Sequence, residues 1–176
     1  MAAFTVIDHT ELTGDTASWT KSSIPASYDH LYLVASIRSS RANAEEQHYI
    51  NVNGSTDAND YSTTRLNNEG SSVYSGRYST GGIAYWGYFH MPAAVALADT
   101  FGALTMWIPN YANTANFKQA FISASSEDAS TSFAVRNSVN ACLFHSTAAV
   151  DQITVTPLYA SMVQYSTFTL YGVTGA

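Results

Sequence analysis

Charge is what this chain has least of. Only 11% of its 176 residues are Asp, Glu, Lys or Arg, about half the usual share of a soluble domain. Two lysines and five arginines stand against thirteen acids, giving −6. A nucleic-acid binder needs a basic face, and a membrane-surface helix needs a basic polar side. Both partner classes are therefore excluded. The single cysteine, Cys142, rules out an intrachain disulfide framework. No apolar run approaches the roughly 18 residues of a helical membrane span. The opening Met1-Ala2-Ala3-Phe4-Thr5 has no basic segment followed by an apolar one, so no secretory leader is expected. Helix signals are nearly absent, since the stretch 93–98 behind Pro92 is too short to stand alone.

What the chain does have is apolar alternation and tyrosine. Hydrophobic residues make up 46%, and twelve tyrosines help to bring the aromatics to 13%. In His30-Leu31-Tyr32-Leu33-Val34-Ala35-Ser36-Ile37-Arg38, the odd positions Leu31, Leu33, Ala35 and Ile37 form one apolar face. That period of two predicts a strand with one side on a core. Residues 49–53, 152–156 and 167–171 alternate likewise. They stop at Asn53-Gly54, a tight-turn pair, at Pro157 and at Gly172. Segments 83–89 and 101–108 are apolar on both faces, which predicts strands in mid-sandwich or strands with one face against another chain. Shorter strands are expected near 4–12, 17–23, 118–124, 133–135 and 141–145. About ten strands, bounded by turn signals and with almost no helix, predict one domain over 1–176. Its expected class is all-β: an antiparallel β-sandwich of jelly-roll type. The polar, Gly- and Ser-rich stretch 55–82 is expected to be a long irregular loop over the sandwich, carrying Tyr61, Tyr74 and Tyr78.

The residues capable of chemistry do not converge. No two of His9, His30, His48, His90 and His145 have metal-ligand spacing, and Cys142 and His145 fall on opposite faces of a strand. Asp29-His30 reads as a turn preceding a core strand. No nucleophile elbow occurs. Glu45-Glu46 cannot face each other across a glycosidic bond, because strand neighbours point opposite ways. Asp57-Ala58-Asn59-Asp60 lacks the glycine and the closing glutamate of a calcium loop and reads as a solvated turn. No catalytic residue, metal or cofactor is expected. Trp86 and Trp107, in doubly apolar strands, are expected in the core. Trp19, among polar neighbours, is expected on a surface that docks something.

Several phrases, taken in order, resemble a known family. They are Ile24-Pro25-Ala26-Ser27-Tyr28-Asp29-His30-Leu31, Asn51-Val52-Asn53-Gly54, Ile108-Pro109-Asn110-Tyr111, Ser146-Thr147-Ala148-Ala149-Val150-Asp151-Gln152-Ile153-Thr154 and Ser166-Thr167-Phe168-Thr169-Leu170-Tyr171-Gly172. The ordered set resembles a β-sandwich domain of tailed-bacteriophage virion proteins. That domain occurs in capsid decoration (cement) proteins and at the ends of tail-associated and fibre proteins. The resemblance implies no catalytic motif. For a chain that is nearly all this domain, it implies a non-enzymatic decoration protein. Such a protein would fold in the bacterial cytoplasm, bind the outer surface of the head as a homotrimer, contact the major capsid protein and stabilise the shell. The alternative is a host-receptor or glycan-binding tip of a tail or head fibre, reading glycan through the stretch 55–82. Trp19, Tyr28, Tyr61, Tyr74, Tyr78 and Tyr111 are the residues expected at inter-subunit or capsid contacts. Tyr28 is also expected to lock its corner through its hydroxyl.

Overall fold

A computed structural model describes residues 3–70, 72–79, 81–127 and 136–175. The described strands are β1 (Ala3–Glu11), β2 (Trp19–Lys21), β3 (His30–Ile37), β4 (Glu45–Val52), β5 (Tyr61–Glu69) and β6 (Ser72–Tyr78). They continue with β7 (Trp86–Pro92), β8 (Gly102–Pro109), β9 (Lys118–Ser126), β10 (Arg136–Phe144), β11 (Ile153–Pro157) and β12 (Thr167–Thr174). Among the described residues the only helical piece is a 3₁₀ turn, Ala58–Asp60, capped by Asp57, whose carboxylate accepts from the Asn59 N–H. The strand expected at 133–135 lies outside the described residues.

All the strands pair antiparallel, in two sheets. The larger sheet runs β1-β12-β3-β8-β9-β10-β5-β6 and the smaller β2-β11-β4-β7. The runs β1-β12-β3-β8 and β2-β11-β4-β7 have the strand order of a jelly roll, with the chain crossing between sheets at nearly every step. Two inserted hairpins, β5–β6 and β9–β10, join each other through the β10–β5 ladder and lengthen the larger sheet past β8. They form a four-stranded wing. β7, the edge of the small sheet, packs against its β9, β10 and β5 strands.

The core lies between the sheets. Leu31, Leu33, Ala35 and Ile37 are all buried, as their alternation predicts. The Asn53-Gly54 turn has both residues at positive φ (52° and 65°), and the Ser55 N–H donates to the Val52 carbonyl. This is a two-residue hairpin geometry that glycine and asparagine tolerate.

Several expectations are corrected. The stretch 55–82 is no irregular loop: its middle is the β5–β6 hairpin, nine and seven residues long. Polar residues predominate at its inward and outward positions alike, so it has no apolar period to read, and pairing with β10 holds it extended. Trp19 is 4% exposed and stacks on Phe168 at 4.8 Å and 6°, joining the two sheets. Its polar neighbours surround it in sequence only. Trp107 is the reverse case. It stands half-buried on the outer face of β8, beside Tyr32.

Gly172 does not end its strand, which continues to Thr174. The glycine instead makes room for the ring of Tyr28, since a β-carbon there would stand 2.3 Å from two ring atoms. Gly172→Ala is expected to cost about 1–3 kcal/mol through overpacking, read as a lower urea midpoint with an unchanged slope. A cost near zero would mean that the Tyr28 ring moves aside freely. Tyr28 thus holds its corner through its ring. The hydroxyl lock belongs to Tyr111, which donates to the Pro25 carbonyl.

Candidate docking face and an arginine–tyrosine cluster

The outer face of the larger sheet is defined by register. One row crosses all eight strands: Val6, Tyr171, Tyr32, Trp107, Phe121, Ala141, Thr64 and Arg77. The next row carries Val34, Val139 and Leu66. Fourteen large hydrophobics are exposed among the described residues. Seven of them, Phe4, Val6, Val34, Leu66, Val73, Phe121 and Val139, stand on this face. The ring of Phe4 meets those of Tyr32 and Tyr171 edge-on at 5.9 Å, and Tyr32 meets Trp107 at 6.0 Å. Glu11 lies on one edge strand and Arg77 on the other. Between them, the six intervening strands present no Asp, Glu, Lys or Arg outward.

This face is grooved as well as flat. Trp107, Pro109, Phe121 and Ala141 line an apolar depression of about 170 Å³. Leu66, Val73 and Val139 line another of about 200 Å³. Eight strands at ~4.8 Å spacing, each with eight residues at ~3.3 Å, span on the order of 1,000 Å². That exceeds the ~800 Å² per partner of a standard protein interface.

The residues expected to make contacts divide. Tyr74 is 48% exposed on the open edge strand β6. Tyr78 and Tyr28 are half-buried. Trp19, Tyr61 and Tyr111 are at most 4% exposed and hold the interior, so they are not contact residues. The Tyr61 hydroxyl bonds to the backbone of Val52 and Ser55. Phe121, Leu66 and Val139 escape a reading of the sequence, although segment 101–108 displayed the same two-faced apolar signal one strand away.

Charge gathers instead beside the wing. Glu45 of β4 meets Arg136 of β10 at 2.6 Å, and Arg136 also meets Glu69 of β5 at 2.8 Å. Arg65 of β5 lies over the Tyr88 ring at 3.9 Å and 5.3 Å from the Tyr78 ring centre. Burial raises the Glu45 pKa against the pull of Arg136. Burial, helped by the charges of Arg136 and Arg65, drives the His90 pKa down to about 3. The 3.9 Å contact between His90 and Glu45 is therefore no ion pair at neutral pH.

Glu46 points the other way, into the interior. Its carboxylate accepts from the Ser39 hydroxyl and from the N–H groups of Tyr159 and Ala160. Both acids thus serve the fold. Burial pushes the Cys142 thiol up to about 12, so it is no thiolate nucleophile at neutral pH. Among the described residues, no three of His, Cys, Asp and Glu stand together as a metal-ligand set.

No family model matches the chain, and no curated protein does. Among solved structures the chain is similar to galectin LEC-6 of Caenorhabditis elegans, at 10% identity and a TM-score of 0.36. The alignment covers 94% of this chain and 96% of that one.

The two buried histidines predict acid sensitivity. His48 is fully buried, stacks on Phe89 and donates through Nδ1 to the Glu46 carbonyl at 3.0 Å. Burial lowers its pKa to about 4. In the unfolded chain both histidines titrate near 6.5. From about pH 6.5 down to 4, the unfolded state therefore binds protons that the fold refuses. Stability falls through that window by up to ~1.4 kcal/mol per pH unit for each histidine. Glu45, whose pKa is raised, acts in the opposite sense near the acid end. Urea melts at pH 7, 5.5 and 4.5 should show a steadily falling midpoint, and His48→Asn should flatten the slope. A midpoint constant from pH 7 to 5 would contradict the assignment.

Proposed function

We propose that the protein is a non-enzymatic structural component of a tailed-bacteriophage virion. In this reading it is a decoration protein that binds the outer surface of the head as a homotrimer, against the major capsid protein, and cements the shell. The observation that carries the reading is the outer face of the larger sheet, which is aromatic, grooved and without charge across six strands. Exposed apolar patches of this extent mark protein contacts. An uncharged face also lets chains of net charge −6 approach one another and a shell without repulsion concentrated at the seam. The resemblance of the ordered phrases to phage virion β-sandwich domains supports the same reading.

The mechanism is linkage. A protein that binds only the assembled shell stabilises it by mass action, by about 2.7 kcal/mol per site at a hundredfold excess over Kd. A trimer that engages several capsid subunits adds avidity, and cyclic symmetry requires each subunit to offer two different patches. Heads with and without the protein should differ in resistance to heat. Light scattering on the purified protein should give three times the mass of one chain. Equal heat resistance of the two kinds of head would remove the cementing role.

A further inference from the structure

The outer face of the wing holds an open depression of about 280 Å³, larger than either apolar one. Its walls include Ser62, Thr64, Arg77, Gln119 and Ala141. Register explains it. Ala141 of β10 stands between Phe121 of β9 and Thr64 of β5, so the shortest side chain of the cross-sheet row lies at the bottom. Arg77 of β6, the cross-strand partner of Thr64, stands at the end of that row.

Arg77 is the cation the fold leaves unused. The chain has seven Lys and Arg side chains, and the other six are engaged. Lys21 meets Asp8, and Arg136 meets Glu45 and Glu69. Arg38 donates to the carbonyls of Ala96, Leu97 and Thr100, and Lys118 to those of Asn116 and Thr147. Arg41 and Arg65 lie over tyrosine rings. Arg77 is exposed and has no hydrogen bond, ion pair or ring contact among the described residues. The side chains of Ser62, Thr64 and Gln119 make no hydrogen bond there either. All four can donate, and no acid lines the depression. The complement of such a set is a carboxylate, which only accepts.

A partner that covers this end of the face takes water from the guanidinium. A charge buried without a counter-charge is strongly unfavourable, so the partner must bring an acid, which the guanidinium fork holds at two points. Gln119 and Ala141 also line the apolar depression beside Trp107 and Phe121. An acid and a bulky apolar side chain, adjacent on the partner, fill the two together. The charge also gives the contact an orientation. Apolar rows repeat across the face and discriminate poorly between registers, whereas a single off-centre cation selects one.

We infer, on the reading that this face docks on a capsid, that the Arg77 depression receives an aspartate or glutamate side chain of the major capsid protein. Beside it, an apolar side chain of the same protein seats against Trp107 and Phe121. The apolar contact supplies most of the affinity, and the Arg77 pair fixes the register.

The test measures binding of the full chain to immobilised heads that lack it, at low and at high salt. Arg77→Gln should bind about tenfold more weakly at low salt, the equivalent of ~1.4 kcal/mol, and lose affinity less steeply as salt rises. Its thermal midpoint should not move, because the position is exposed. Lys21→Gln changes the net charge by the same amount away from this face, and should bind as the wild type does. Wild-type binding by Arg77→Gln, with Phe121→Asp unable to bind, would overturn the carboxylate pairing and leave the docking face standing. Undiminished binding by Phe121→Asp, or none by the wild type, would remove the docking face and this contact with it. An equal loss in Lys21→Gln would trace the effect to net charge and overturn the pairing. So would a fall of the Arg77→Gln mass below the wild type's in light scattering, which would put the carboxylate on a neighbouring copy.

Discussion

Replacing Glu46 by alanine is expected to remove on the order of 3–5 kcal/mol of stability. That is a large part of the ~5–15 kcal/mol that holds a typical domain together. The carboxylate is completely buried. It ties three separate segments: the Ser39 hydroxyl after β3, its own strand β4, and the Tyr159 and Ala160 N–H groups after β11. Hydrogen bonds to a charged acceptor each contribute about 1.5–3 kcal/mol, and they are not fully additive because they share one group. Alanine removes all three and leaves a cavity. Glu46→Gln keeps one carbonyl oxygen for the two N–H groups, so it should lose roughly half as much. Urea denaturation at pH 7 measures both. A loss below about 1 kcal/mol for the alanine variant would mean that the segment after β11 holds itself in place.

If the protein decorates a capsid as proposed, Phe121→Asp should abolish attachment to the shell while leaving the fold intact. Phe121 is 53% exposed on the outer face of β9, between Trp107 and Ala141 in the cross-sheet row. Its removal takes little from the core, so the stability change should stay within about 1 kcal/mol. At the interface the aspartate would place a charge in the middle of an apolar contact. Losing an aromatic anchor costs about 2 kcal/mol or more, roughly thirtyfold in affinity. In the proposed trimer three such losses act together. Co-sedimentation with heads that lack the protein measures this. Val95→Asp, at an exposed position in the loop after β7, is the control that should still bind. If Phe121→Asp binds as well as the control does, the docking face lies elsewhere.

Much of the fold could be read in advance because strand periodicity is local. The segment around Leu31, Leu33, Ala35 and Ile37 needs no knowledge of its partners to show which face is apolar. The turn at Asn53-Gly54 is equally local, as its two residues tolerate the positive φ it requires. The wing hairpin was hidden because Tyr61, Thr63, Arg65 and Asn67 alternate with Ser62, Thr64, Leu66 and Asn68. Polar residues on both faces carry no period. The buried polar set of Arg65, Asn67 and Asn140 was hidden with it, since Asn140 arrives beside the other two only through the β10–β5 ladder.

The amino-acid order by itself determined an all-β, charge-poor chain of alternating strands with turns at set places, because those properties depend on each residue and its nearest neighbours. It did not determine which way an isolated aromatic, or a strand apolar on both faces, turns. Trp19 and Trp107 exchange their expected places because burial depends on what lies opposite. The short strand β2 is pressed against Phe168 of the other sheet, whereas the second face of β8 meets no strand among the described residues. Only the tertiary structure decided that the leftover apolar residues line up in register across eight strands, and that alignment makes a surface from residues that are unremarked one at a time.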